Sequence, residues 1–128
     1  MEIVAIVIIL ALIEYVAFGM QAGAARGKYE VEAPATTGHP IFERKLRVQQ
    51  NTLEQLVIFL PGIWFFGVYV NAELAAFVGL FFIVGRVIYA RSYVAEPSKR
   101  TVGFIITFAS QAVLVIGALV GAVVAWIG

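Results

Sequence analysis

The chain has 128 residues, 62% of them hydrophobic and 13% charged, with a net charge of +1 and no cysteine. A water-soluble domain carries roughly 25% charged residues and at most about half apolar ones, so this composition describes a protein solvated largely by lipid. It excludes disulfides and cysteine-ligated metals, leaves no basic stripe for nucleic acid, and requires that any thiol chemistry use a sulfur brought by a substrate.

Crossing a hydrocarbon layer of about 30 Å takes about 20 apolar residues. Residues 3–25 supply a first span, interrupted by Glu14 and Gln21. Glu2 replaces the positive flank of a signal peptide, and the apolar run is too long for one. Residues 26–40, with Pro34, Gly38 and Pro40, read as a loop. The next apolar stretch, 56–70, is too short to cross, so its helix must begin upstream and lift polar residues to the membrane surface. Asn71, Ala72 and Glu73 read as a turn, and a third span runs from Leu74 through Arg86 and Tyr89 to Tyr93. Glu96 to Lys99 form a loop broken by Pro97, and 102–127 is the last span. The expectation is an all-α integral membrane protein, a single antiparallel bundle of four transmembrane helices at about 2–25, 41–70, 73–93 and 101–127.

All nine basic residues flank the first and third loops, and none lies at either terminus or in the middle turn. The positive-inside rule therefore predicts cytoplasmic loops at 26–40 and 94–100 and both termini outside, in a bacterial inner membrane.

Polar residues recur where lipid penalises them. Arg47, Asn51 and Glu54 are spaced four then three, and share one helical face over roughly 10 Å. Arg86, Tyr89 and Tyr93 are spaced three then four, and Arg100 opens the last span. Singly, each has a plain explanation. Arg47 and Glu54 can tie helices together. Arg86 can snorkel, the tyrosines can form an aromatic belt, and Arg100 can be a positive-inside residue. Glu14 reads as structural, paired with an arginine of a neighbouring helix. His39 has no second ligand nearby, so no metal site is expected. Jointly, cations, a carboxylate, an amide and two phenols at one membrane face suit a small, multiply charged zwitterion beside a lipid-accessible groove.

At these residues the chain resembles the MAPEG family, the membrane-associated proteins of eicosanoid and glutathione metabolism. The resemblance rests on Thr36-Thr37-Gly38, Phe42-Glu43-Arg44, Arg47-x-Gln49-x-Asn51-x-x-Glu54 and Gly85-Arg86-x-x-Tyr89-x-x-x-Tyr93, continuing to Arg100. The pattern is most similar to the microsomal glutathione transferase and leukotriene C4 synthase branch. It implies a homotrimer with sites between subunits, and glutathione as co-substrate. Arg47, Asn51, Glu54, Arg86, Tyr89 and Tyr93 would bind the tripeptide, Arg26 and Gln49 would come from the neighbouring subunit, and Arg100 would activate the thiol. The expected function is a glutathione transferase acting on a lipophilic electrophile or lipid hydroperoxide drawn from the membrane lipids, with peroxidase activity a possible accompaniment. The alternative is a non-catalytic lipid-binding or scaffold protein on the same fold. Two positions depart from the pattern: Gln55 stands where close relatives place a tyrosine, and Gly27 where the leukotriene synthase has a second arginine. The second departure argues against eicosanoid-specific chemistry.

Overall fold

The structure is a computed structural model describing residues 1–128. It contains four long helices: α1 (Glu2–Lys28), α2 (Pro40–Tyr69), α3 (Ala72–Ala95) and α4 (Thr101–Ile127), with a short 3-10 turn, Pro97–Lys99, before the last. All four are long and apolar enough to cross a membrane, and the protein is an integral membrane protein. α1 runs past residue 25 to Lys28, so Arg26 belongs to its last turn rather than to a loop. α2 has 30 residues, which rise roughly 45 Å. That exceeds the hydrocarbon thickness by several turns, and those turns carry the polar residues 43–54.

Caps explain where the helices start. Pro40 sits in the first turn of α2, where its missing N–H costs nothing. The His39 imidazole accepts from Ile41 N at 3.2 Å and stacks on Tyr29 at 3.7 Å. The predicted turn at 71–73 is tighter than expected. Asn71 is the N-cap of α3, its side-chain oxygen accepting from Leu74 N at 2.8 Å, and Ala72 and Glu73 are already helical. At the opposite end of α3, the Arg44 guanidinium donates to the free carbonyl of Val94 at 3.0 Å. It thereby satisfies a terminal acceptor.

α2 and α3 form the centre of the bundle, each packing on the other and on both α1 and α4. The core is a single apolar cluster of residues from all four helices, including Val4, Val7, Phe59, Ile63, Phe82 and Leu114. Phe59 and Phe82 stack at 3.8 Å in its middle. Residues such as Ile13, Val57, Phe77, Phe108, Ile116 and Leu119 project outward and are exposed, as a lipid-facing surface requires. Where α3 meets α4, the backbones touch. A Cβ at Gly103 would collide with the backbone of Tyr89, and one at Gly85 would stand 2.9 Å from Ile106 Cγ2. Small residues allow this approach, and the Gly103 contact lies directly beside the polar residues of the third span.

Candidate functional site

Five of the polar residues meet around one cavity at the end of the bundle that carries the basic loops. Arg47 and Asn51 of α2, Tyr89 and Tyr93 of α3, Arg100 at the N-cap of α4 and Phe104 within it line a space of about 420 Å³. Helical periodicity brings them there: residues four apart stack on one face, as do 47 and 51, 89 and 93, 100 and 104. Phe104 has no charge to draw attention in the sequence, but its four-residue offset from Arg100 is the signal that places it on the wall.

Arg47 Nη1 donates to Glu54 Oε1 at 2.8 Å, and both side chains are about half exposed, at 45% and 56%. Tyr89 and Tyr93 stack with centroids 5.6 Å apart and planes inclined by 10°. Tyr89 is buried, whereas Tyr93 is partly open to the cavity. Arg100 is exposed and its Nη1 donates to Pro97 O at 3.2 Å, an arginine held loosely at the rim.

Arg86 occupies a different position. It is completely buried, behind the cavity wall. Nη2 donates to Asn51 Oδ1 and to Thr52 Oγ1, each at 2.8 Å, and Nε reaches Thr52 Oγ1 at 3.3 Å. The guanidinium carbon lies 4.3 Å from the centroid of the Tyr89 ring. Arg86 therefore braces two residues of the wall from inside. Thr52 was not legible as a partner. It is a neutral residue whose hydroxyl donates to Val48 O at 2.7 Å and keeps a lone pair for Arg86.

Arg26 and Gln49 stand away from this cavity. Arg26 lines a separate depression at the end of α1 with Glu30 and Glu32, and its Nη1 donates to Ala35 O at 2.8 Å. Gln49 packs against Gly19 of α1. Both belong to the α1/α2 side of the bundle, whereas the cavity opens where α2, α3 and α4 meet. The direct ion pair expected for Glu14 does not form: neither of its buried carboxylate oxygens has a hydrogen-bond partner. Gln55, the residue in place of a phenol, is bound to α4. Gln111 Nε2 donates to its side-chain oxygen at 2.9 Å. Farther along the α2/α4 seam lies a groove of about 480 Å³ with a nearly all-apolar lining that includes Ile58, Phe65, Val115 and Leu119.

The cavity thus presents two exposed guanidiniums, an amide and two phenols to one small space, and the Glu54 carboxylate stands outside its lining, paired with Arg47. This donor set binds carboxylates and an ammonium together, and a guanidinium at the rim can stabilise an adjacent anion.

Comparison with known proteins bears on the family. The MAPEG family's sequence profile matches residues 4–120, a stretch containing every residue that lines the cavity. An uncharacterised protein of Synechocystis sp. is 47% identical over 115 residues, 90% of this chain and 84% of the relative. Human microsomal glutathione S-transferase 2 is 41% identical over 118 residues, 91% of this chain and 80% of the relative. Rat leukotriene C4 synthase is 33% identical over 98 residues, 77% of this chain and 65% of the relative. An all-helical membrane bundle, matched over nearly its whole length, settles the family: the chain belongs to the MAPEG family.

Proposed function

We propose that the protein is a membrane-bound glutathione transferase whose cavity holds the tripeptide and keeps its sulfur ionised. The observation that carries this reading is the convergence of Arg47, Asn51, Tyr89, Tyr93 and Arg100 on one space, in a chain 41% identical to a microsomal glutathione S-transferase.

Glutathione has two carboxylates and one ammonium. Arg47 and Glu54 are complementary to them, and an exposed ion pair holds itself by only about 0–1 kcal/mol. Exchanging the mutual bond for bonds to the ligand therefore costs little. Asn51 supplies an amide and Tyr93 a hydroxyl, while Arg86 orients Asn51 and Tyr89 from behind. The protein assembles as a homotrimer in this reading. Arg26 and Gln49 face away from their own cavity and complete that of the neighbouring copy. The basic loops, 26–40 and 94–100, lie in the cytoplasm of a bacterial inner membrane, where the co-substrate is dissolved.

The nucleophile is the thiolate, and a free thiol is only a few per cent ionised at neutral pH. Arg100 stays protonated at any working pH, so it acts by charge, holding the anion while the proton leaves to water. The sulfur then forms a C–S bond with an electrophilic carbon, expelling a leaving group or opening a ring. With a lipid hydroperoxide, the thiolate takes the terminal oxygen and an alcohol departs. The resulting sulfenate takes a proton from water, and a second glutathione converts the sulfenic acid to the disulfide with loss of water. The lipophilic partner reaches the sulfur from the bilayer along the apolar α2/α4 seam.

The test is ultraviolet difference spectroscopy on the protein in detergent. Adding glutathione should produce a thiolate band. Arg100→Ala should abolish it, with turnover of a chromogenic aryl halide falling about 100-fold or more and calorimetric affinity for glutathione nearly retained. A wild-type protein giving neither band nor heat would overturn the assignment.

A further inference from the structure

Three buried side-chain polar atoms have no hydrogen-bond partner: both carboxylate oxygens of Glu14 and Nη1 of Arg86. They belong to opposite charges on adjacent helices. Glu14 borders α3 at Val87, the residue next to Arg86, and at Ala90, and α1 packs directly on α3. Glu14 lies 12 residues into α1, roughly 18 Å along its axis and near the middle of the hydrocarbon. An unpaired charge at that depth is expensive, and orphaned buried groups call for a ligand or a water.

The gap has the chemistry of a water site. An ordered internal water needs two to four polar partners. Two acceptor oxygens and one guanidinium N–H provide three. Glu14 also lines a groove of about 520 Å³ on the α1/α3 side, mostly apolar but bordered by Gln21, Lys45 and Arg91.

Arg86 joins this place to the candidate site. One terminal nitrogen, Nη1, is the orphan, and the other, Nη2, holds Asn51 on the cavity wall at 2.8 Å. We propose that Glu14 is a positioning residue: with Arg86 it holds an ordered water between α1 and α3, and this hydrated ion pair sets the guanidinium that orients Asn51 and Tyr89. Glu14 touches no substrate. Its effect on glutathione rests on the function proposed above, while the ion pair itself does not.

The experiment has two arms. In the first, thermal unfolding in detergent compares Glu14→Leu in the wild-type and Arg86→Leu backgrounds. Glu14→Leu should lower the melting temperature of the wild type, because it strands a buried cation. It should leave the Arg86→Leu protein unchanged or raise its melting temperature, because no charge then remains unpaired. An equal loss in both backgrounds, or no loss in the first, overturns the pair. In the second arm, Glu14→Gln keeps the shape and one acceptor oxygen but removes the charge, and its circular dichroism should match the wild type. Its KM for glutathione should rise about fivefold with kcat within about twofold. An unchanged KM overturns the positioning role. Should the wild type bind no glutathione, the reading of the cavity fails alone, and the melting comparison still decides the pair.

Discussion

Arg86 and Arg100 are both arginines near the basic end of the bundle, and their surroundings give them opposite work. Arg86 is buried and spends its donors on Thr52 and Asn51, whereas Arg100 is exposed and makes one bond to a local carbonyl. Removing the Thr52 hydroxyl should therefore be costly despite its neutrality. Thr52→Val leaves a buried guanidinium short of an acceptor, and we expect a loss of about 1–3 kcal/mol, read as a lower melting temperature in detergent. Arg100 can be removed with little effect on folding but a marked effect on the pH profile. If the guanidinium acts as proposed, the bound thiol should be ionised near neutrality and the rate flat. In Arg100→Ala the thiolate fraction rises about tenfold per pH unit below the thiol's own pKa, so activity should climb steeply toward alkaline pH. A parallel profile for both proteins would remove the electrostatic role. The spacing of 47, 51 and 54 made their shared face legible in the sequence. The inward turn of Arg86 was not, although it shares a stripe with Tyr89 and Tyr93. Residues 86 and 89 differ by about 60° around the helix, and only the neighbouring helices show which part of that stripe faces the interior.

At the scale of elements, the seam between α3 and α4 places Tyr89 beside Arg100. Gly103 faces the backbone of Tyr89 with no room for a side chain. Gly103→Leu should force the helices apart, shift both tyrosines and open the cavity. Glutathione affinity should fall along with melting temperature, and an affinity that stayed at the wild-type value would show that this seam does not set the cavity. The start of α3 offers a plainer case. The Asn71 cap bond at 2.8 Å is at the end far from the cavity, so Asn71→Ala should cost about 1 kcal/mol of stability and leave KM unchanged. Sequence reading located the break between the second and third spans but took Ala72 and Glu73 as turn residues. A cap lets a helix begin immediately after it, and the Asn71 side chain accepts from one of the N–H groups that the first turn leaves free.

For the whole molecule, the position of Arg26 and Gln49 carries the consequence. They lie on the α1/α2 side, and in the proposed homotrimer that side of one copy would meet the cavity of the next. Native mass spectrometry should report three chains. Coexpressing Arg26→Ala with Arg100→Ala should recover activity above that of either variant alone, because mixed assemblies contain some sites with both arginines intact. No recovery, with mixing demonstrated, would place Arg26 outside the site. The same geometry leaves the outer faces of α3 to lipid, in keeping with the exposure of Phe77, Phe81 and Val84.

Four spans, the gathering of every cation at one end and the grouping of polar side chains all followed from composition and order along the chain. They could, because partition between oil and water is set residue by residue and helical periodicity is local. Which polar atoms meet is a different kind of quantity. Thr52 beneath Arg86, Glu14 without a direct partner, and Arg26 turned from its own cavity depend on which helices adjoin and how closely. That closeness is fixed by long-range contacts such as Gly103 against Tyr89, between residues whose proximity no local pattern encodes.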